Sequence, residues 1–306
     1  SASVSIGITL FNSPDTSEED VLKQADIAMY QAKDSGRNAI RLFDINMQER
    51  IASRVQLERE LRFALELNQF ELFYQVQVNH NKTFVGAEAL IRWAHPQRGM
   101  VSPVEFIPLA EETGLILPIG KWVLETACAQ LKKWQKKKYT RDLSISVNVS
   151  AKQFNQSHFV AEVAGVVKEY AIDPAFLKLE LTESMLQDDV DLMIQKMMAL
   201  REIGVRFELD DFGTGYSSLQ YLKQLPLHQL KIDQSFIRDI ETDSNDKALV
   251  KTIIAMAQSL DLKSIAEGVE NEQQRQFLMD HGCDHFQGYL FGRPMPIDML
   301  EKLIAS

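Results

Sequence analysis

The apolar positions of this chain change period along its length. Val4, Ile6, Ile8 and Leu10 alternate with small or polar residues, the period-2 pattern of a half-buried strand. Val21, Leu22, Ala25, Ala28, Met29 and Ala32 then recur at helical spacing. Thr16 or Ser17 is placed to cap that helix, and Gly36 stands where a helix-ending residue is expected. Ile40, Leu42 and Phe43 supply a short closing strand. Strand, helix and strand over 1–43 enclose little core, so this segment reads as part of a larger α/β domain. Residues 44–69 read as a charged amphipathic helix, with Ile51, Val55, Leu57, Leu61, Ala64 and Leu65 near helical spacing. Glu58 and Arg62 interrupt the stripe, which makes the segment a helical connector leading into the next domain.

From Phe70 onward the two periods alternate. Strand-like runs fall near 70–78, 84–92, 143–149, 176–182, 205–210, 229–233, 263–267 and 285–291. Helical patterns at 118–137, 153–170, 187–203, 243–260 and 271–281 separate most of them. Eight strands within 70–306 predict a TIM-like (β/α)8 barrel, α/β in class. A doubly wound open sheet is the alternative. Its nucleotide-binding form needs a glycine-rich loop after an early strand, and neither a P-loop nor a dinucleotide fingerprint occurs.

In a barrel the chemistry sits at the C-terminal ends of the strands. Glu88, Asn148, Glu180, Asp210, Lys231, Glu267 and Gln287 each lie in, or close, a different apolar run. Taken singly, a strand-end Asp or Glu reads as a helix cap or a solvated group, and Lys231 as a surface cation. Gln287 alone says little. Together they aim polar groups at one mouth. A buried carboxylate needs a partner, because desolvating it unpaired costs several kcal/mol. One partner for several carboxylates is a metal centre, and oxygen donors suit Mg²⁺ or Mn²⁺. The Asp210-Asp211 doublet points the same way, since adjacent carboxylates repel unless a cation lies between or beside them. Gly213-Thr214-Gly215 permits a sharp loop, and Ser217 or Ser218 then starts a helix. An acidic helix N-terminus is the alternative reading of the doublet.

Composition narrows the partners. The chain has 306 residues, enough for one large domain or two ordinary ones, and a net charge of −10. That charge disfavours a nucleic-acid polymer as ligand, and a phosphate-ester substrate would need bound cations to reverse the local field. Cys128 and Cys283 lack metal-ligand spacing. A disulfide between them stays open, with a reduced, cytoplasmic protein the simpler reading. No apolar run reaches the length of a membrane span and no secretory signal opens the chain. The abrupt start in a strand suggests an excised fragment, so a membrane anchor elsewhere in a parent protein stays open.

Residues from about 50 to 306 resemble the EAL domain, the cyclic di-GMP phosphodiesterase family. The matching segments are Glu88-Ala89-Leu90-Ile91-Arg92-Trp93, Ser146-Val147-Asn148-Val149-Ser150, Glu180-Leu181-Thr182-Glu183-Ser184 and the run from Asp210-Asp211-Phe212 to Ser218. Lys231-Ile232-Asp233, Ala266-Glu267-Gly268-Val269-Glu270 and Gln287-Gly288-Tyr289 complete the set. The tripeptide that names the family is weak by itself; the ordered set is specific. Upstream, Ser5-Ile6-Gly7-Ile8, the run Ala25 to Lys33 and Gly36-Arg37-Asn38 resemble the C-terminal end of a GGDEF domain. The signature of that domain is absent, so cyclase chemistry is not expected of the fragment.

The resemblance implies hydrolysis of cyclic di-GMP to linear pGpG with two divalent cations, Mg²⁺ or Mn²⁺. Glu88, Asn148, Glu180 and Asp210 would ligate one; Asp210, Asp211 and, directly or through water, Glu267 would surround the other. It also implies Lys231 as water-holding or charge-neutralising residue, Glu267 as proton acceptor, and Gln75, Arg92 and Gln287 as substrate contacts. Glu183 would secure the loop after Asp211. A homodimer and further upstream GGDEF and sensory domains are implied as partners. A non-catalytic cyclic di-GMP receptor is the competing function, and an interaction domain regulated by dimerisation is a third reading. Two positions depart from the family pattern: Val76 stands where proline usually follows Gln75, and Glu208 where a small residue is usual.

One expectation follows from register. Side chains two apart on a strand share a face, so Lys178 shares that of Glu180 and Glu208 that of Asp210. If Glu180 and Asp210 converge, Lys178 and Glu208 lie one layer deeper as an ion pair. The alternative is that a strand irregularity turns one or both outward.

Overall fold

The computed structural model describes residues 4–11, 17–34, 38–187, 189–213 and 219–305. Thr16, Gly36, Thr214, Gly215, Ser217 and Ser218, read above as caps, helix stop and loop, lie outside the described residues. The chain divides into two compact units, Ser1–Ala64 and Leu65–Ser306.

In the first unit β1 (Ile6–Ile8) pairs in parallel with β2 (Ile40–Leu42), and α1 (Glu18–Asp34) packs on both. Ser17 is the residue that starts α1, its Oγ accepting from the Asp20 amide at 3.1 Å. Ala28 and Ala32 are buried, while Ile6, Ile8, Ile40 and Leu42 stay exposed. Two three-residue strands and one helix cannot cover both faces of their own sheet. The unit ends in α2 (Ile45–Ala64).

The second unit is a closed barrel. Its strands are β3 (Phe70–Asn79), β4 (Phe84–His95), β6 (Ser144–Asn148), β7 (Leu177–Thr182), β8 (Arg206–Phe212), β9 (Gln229–Ile232), β10 (Lys263–Ala266) and β11 (His285–Gln287), with β5 (Gly99–Val101) and β12 (Met295–Pro296) as short additions. The order β3-β11-β10-β9-β8-β7-β6-β4 closes through a β3–β4 pairing. Helices α3 (Pro103–Thr113), α4 (Ile116–Gln135), α5 (Ala151–Phe154), α6 (Phe159–Tyr170), α7 (Val190–Ile203), α8 (Leu219–Leu222), α9 (Gln234–Arg238), α10 (Ser244–Ser259), α11 (Glu272–Asp280) and α12 (Ile297–Ala305) lie between or after them.

The topology departs from an all-parallel barrel at β3, which runs antiparallel to both β4 and β11. The cause is the short connection from Asn79 to Phe84, with Lys82 in the left-handed region at φ 59°. A parallel crossover needs a dozen or more residues. Other differences are local. The strand expected over 285–291 stops at Gln287, because Gly288 lies flush against the 269 segment, where a Cβ would come 2.1 Å from the Val269 carbonyl oxygen. The helix expected over 153–170 is two, α5 and α6, separated by the polar run Asn155 to His158.

Alternation sets the core. Ile145, Leu179, Leu209, Leu230 and Ile265 are fully buried along successive strands. Phe70, Trp93, Phe106 and Trp122 form an aromatic cluster, with Phe70 within 5.7–6.0 Å of the other three rings. Cys128 and Cys283 are free and buried, which closes the disulfide alternative, and burial pushes both thiols up to about 12. Among the described residues no helix is long and apolar enough to cross a membrane.

Candidate active site

The parallel strands bring their polar ends to one mouth, where the carboxylates gather around a lysine. The Lys231 Nζ lies 2.6 Å from Glu180 Oε2, 2.7 Å from Glu267 Oε1, 3.1 Å from Asp210 Oδ1 and 3.7 Å from Glu88 Oε2. It is 1% exposed. Four acidic groups and one ammonium leave this cluster with excess negative charge, and the surrounding protein offers little solvent. Burial, reinforced by Glu88 and Asp210, raises the Glu180 carboxyl well above the ordinary range despite Lys231. Burial likewise pushes Glu267 up to about 8, with Asp210 and Glu88 adding to it and Lys231 opposing. The same carboxylates hold the Lys231 ammonium well above its usual range against the effect of burial.

Amides orient the acids. The Asn148 Nδ2 donates to Glu88 Oε1 at 2.7 Å, and Gln287 Nε2 donates to Glu88 Oε2 at 2.6 Å. Gln287 Nε2 also donates to Gln75 Oε1 at 3.1 Å, and Gln77 Nε2 donates to Gln287 Oε1 at 3.0 Å. Gln75 and Gln287 therefore hold Glu88 in place as well as lining the mouth. Arg92, four positions beyond Glu88 on β4, is half-buried. Its guanidinium donates to the Ile91 carbonyl at 2.9 Å and lies 5.5 Å from the Phe73 ring centroid.

The doublet separates its two roles. Asp210 faces Lys231, while Asp211 takes a left-handed backbone, φ 55°, and turns to a hydrogen bond with Asp233. Burial, then Asp210 and Asp233, pushes Asp211 up to about 6. The bend interrupts pairing with β9 between Leu209 and Phe212. Gly213 follows at φ 101°, a conformation that favours glycine, and its amide donates to Glu183 Oε2 at 2.9 Å. Asp233 was not among the expected site residues. It follows β9 directly as the N-cap of α9, its carboxylate accepting from the Ser235 amide at 2.9 Å, and the segment Lys231-Ile232-Asp233 carries it two positions after Lys231.

A cleft of about 380 Å³ opens beside the cluster, lined among others by Glu88, Asp210, Glu267, Glu270, Gln287 and Tyr289. Glu270 closes the segment Ala266-Glu267-Gly268-Val269-Glu270, and the sequence assigns it no role of its own. The Arg293 guanidinium stacks 4.0 Å above the Tyr289 ring, which is 49% exposed. A second, mainly apolar cavity of about 250 Å³ meets Arg92 and Asn148 from the side of α3 and α4.

The donor set fits hard divalent cations on two counts. Its oxygens carry more negative charge than Lys231 balances, and Glu180 Oε1 is buried without a hydrogen bond among the described residues. The described carboxylates do not stand as a ready-made cage, because the ammonium occupies their point of convergence. Cation binding at that point would require Lys231 to yield part of its contacts.

Comparison with known proteins gives a consistent picture. The family description "EAL domain" matches residues 58–294, and "Diguanylate cyclase, GGDEF domain" matches residues 1–39. The bifunctional diguanylate cyclase/cyclic di-GMP phosphodiesterase MucR of Pseudomonas aeruginosa is 45% identical over 305 residues, covering 99% of this chain and 44% of that protein. The cyclic di-GMP phosphodiesterase PdeR of Escherichia coli is 37% identical over 300 residues, covering 98% of this chain and 45% of that protein. The chain thus spans less than half the length of these relatives. A solved structure of the PaMucR phosphodiesterase in complex with c-di-GMP is 47% identical with a TM-score of 0.78, covering 80% of this chain and 99% of that one. The EAL enzyme Bd1971 in its cAMP- and cyclic-di-GMP-bound form is 34% identical with a TM-score of 0.80, covering 95% of this chain and 77% of that one.

Proposed function

The chain belongs to the EAL-domain family, and from that membership we propose that it hydrolyses one 3′–5′ phosphodiester of cyclic di-GMP to linear pGpG. The observation that carries the proposal is the convergence of Glu88, Glu180, Asp210 and Glu267 on one buried point at the barrel mouth, beside a cleft. Relatives named as cyclic di-GMP phosphodiesterases support the substrate.

Glu88, Asn148, Glu180 and Asp210 would hold one divalent cation, Mg²⁺ or Mn²⁺, and Asp210, Asp211 and Glu267 a second. When bound, such cations neutralise phosphoryl charge and make water a better nucleophile. Arg92 presents a fork of donors suited to a phosphate oxygen pair. Gln75 and Gln287 line the cleft as substrate contacts. Lys231 holds the attacking water and balances charge on the phosphoryl oxygens. Glu267 accepts the water's proton, its carboxylate standing 2.7 Å from the Lys231 ammonium at the edge of the cleft. Water oxygen bonds to phosphorus as its proton passes to Glu267, the bond to O3′ breaks, and O3′ takes a proton from solvent water in the open cleft, leaving as the free hydroxyl. Glu183 steadies the segment after Asp211 through the Gly213 amide. The fragment over 1–43, the connector over 44–69 and the barrel over 70–306 belong to a longer signalling protein as its catalytic output, working as a homodimer.

Incubation with cyclic di-GMP and Mg²⁺ or Mn²⁺, followed by product chromatography, tests the proposal. Linear pGpG is expected, and its loss in Glu88→Ala or Asp210→Ala. Binding of the dinucleotide without turnover by the parent protein would make the domain a receptor instead. Sedimentation of the full chain tests the dimer.

A further inference from the structure

Beneath the mouth lies a second polar layer. Ser146, Lys178, Glu208, Gln229 and His285 stand two positions before Asn148, Glu180, Asp210, Lys231 and Gln287 on five different strands. Side chains two apart share a strand face, so each lower residue sits directly under a mouth residue. The lower residues also touch one another. The Ser146 hydroxyl donates to Glu208 Oε2 at 2.6 Å. The Lys178 Nζ lies 2.9 Å from Glu208 Oε1 and donates to Gln229 Oε1 at 3.1 Å. Gln229 Nε2 is 3.0 Å from His285 Nδ1. Ser146 and Glu208 are fully buried, Gln229 is 1% exposed and Lys178 5%.

The donors in this belt run without conflict. Lys178 pairs with the Glu208 carboxylate by charge and donates to Gln229 Oε1, Ser146 donates to Glu208 Oε2, and Gln229 Nε2 faces the Nδ1 of a neutral His285 as donor. Apolar side chains would fill such a layer without desolvating an ion pair, so its polarity calls for a reason. Two features above it supply one. The mouth carboxylates outnumber Lys231 and repel one another. The backbone ladder between β8 and β9 breaks between Leu209 and Phe212, where Asp210 and Asp211 stand, and Glu208–Gln229 is a register pair just below the break. Side chains tie the strands where the backbone does not.

We infer that this buried belt is a positioning device, fixing the spacing of the strand ends that carry Asn148, Glu180, Asp210 and Lys231. Its effect on turnover rests on the phosphodiesterase reading; its effect on the strand ends does not.

Ser146→Ala cuts the belt at one joint and Gln229→Met at two, those to Lys178 and His285, while both leave the Lys178–Glu208 pair. Val147→Ala, on β6 but facing away from the belt, is the control for lost packing. Hydrogen–deuterium exchange is followed in peptides covering residues 178–182, 207–211 and 229–233, together with kcat and KM for cyclic di-GMP. Each cut should speed exchange at strand ends beyond the mutated strand by about 10-fold. Each should also lower kcat by about 10-fold while KM stays within about 3-fold. Val147→Ala should do neither, even where its loss of unfolding stability is as large. Exchange changes confined to the mutated strand, or equal changes in Val147→Ala, would overturn the inference. A parent protein that turns over no substrate would overturn the phosphodiesterase reading, while the exchange data would still decide the belt.

Discussion

Replacing Lys178 by methionine should be among the most damaging single changes outside the mouth. The side chain of Lys178 is 7% exposed and that of Glu208 is 0% exposed, so neither charge has solvent to fall back on. Without the ammonium, Glu208 keeps the Ser146 hydroxyl and no adjacent cation at 2.9 Å. Breaking one half of a buried pair costs about 3–5 kcal/mol. At roughly 2–4 °C per kcal/mol for a unit of this size, the midpoint should fall by roughly 6–20 °C. The loss also carries a pH signature. In the parent, burial opposes ionisation of Glu208, but Lys178 and Ser146 outweigh it and hold the carboxyl down at about 2. A depressed carboxyl contributes stability that is present above its unfolded value, near 4.5, and is lost as pH falls toward about 2. In Lys178→Met the sign reverses, because burial then raises the carboxyl and protonation relieves the variant. The gap between the two proteins should therefore narrow between pH 7 and pH 5. Urea unfolding followed by tryptophan fluorescence at both pH values measures it. Lys178→Met/Glu208→Leu should recover most of the loss, since apolar replacement of a whole buried pair is often neutral. A single variant within about 1 kcal/mol of the parent at pH 7 would refute the reasoning.

Other outcomes follow from the same geometry. Glu183→Gln keeps the size of the acceptor for the Gly213 amide but removes its charge, so hydrolysis should fall severalfold while the unfolding midpoint moves little; unchanged kinetics across a range of Mn²⁺ concentrations would count against a role for that contact. Mn²⁺ at about 100 times its dissociation constant should stabilise the parent by about 2.7 kcal/mol, and calorimetry should find that gain abolished in Asp210→Ala. Burial, with nearby cations, lowers His228 and His285 to about 4, so stability should be full above the unfolded value of 6.5 and decline as pH falls toward 4. The slope from His285 is at most about 1.4 kcal/mol per pH unit, and smaller for the more solvated His228; the raised Glu267 and Asp211 carboxyls slope the other way in the same window, so the check is a difference, and a His285→Gln variant with the same profile as the parent between pH 7 and 5 in a chelated sample would contradict it.

Most of this architecture is legible in the alternation of apolar and polar positions. Strands whose inward and outward faces differ declare their period, and a polar residue at the end of each apolar run marks the mouth. The Lys178–Glu208 pair is legible for the same reason, because strand faces repeat every two residues and β7 and β8 pair in parallel. The reversed direction of β3 was not, since periodicity carries no sign; only the short link from Asn79 to Phe84 reveals it. In the sequence the lysine at the centre of the carboxylates is one contributor among several. Nothing in local spacing says which side chain reaches the common point. Asp233 and Glu270 carry weak signals because each follows a stronger one by two or three positions, Lys231 and Glu267.

The two cysteines give the barrel an internal clock. Cys128 on α4 and Cys283 just before β11 are buried, free and held near 12 by burial, so a thiol reagent meets almost no thiolate in the folded protein. Their modification rates therefore measure how often each part of the wall comes apart, with no label or substitution added. Equal rates at both positions would mean that the closed sheet opens as one unit. A faster rate at Cys283 would place the weakest seam where β11 meets the reversed strand β3, the one junction in the circuit that joins a parallel series to its antiparallel closure on that side.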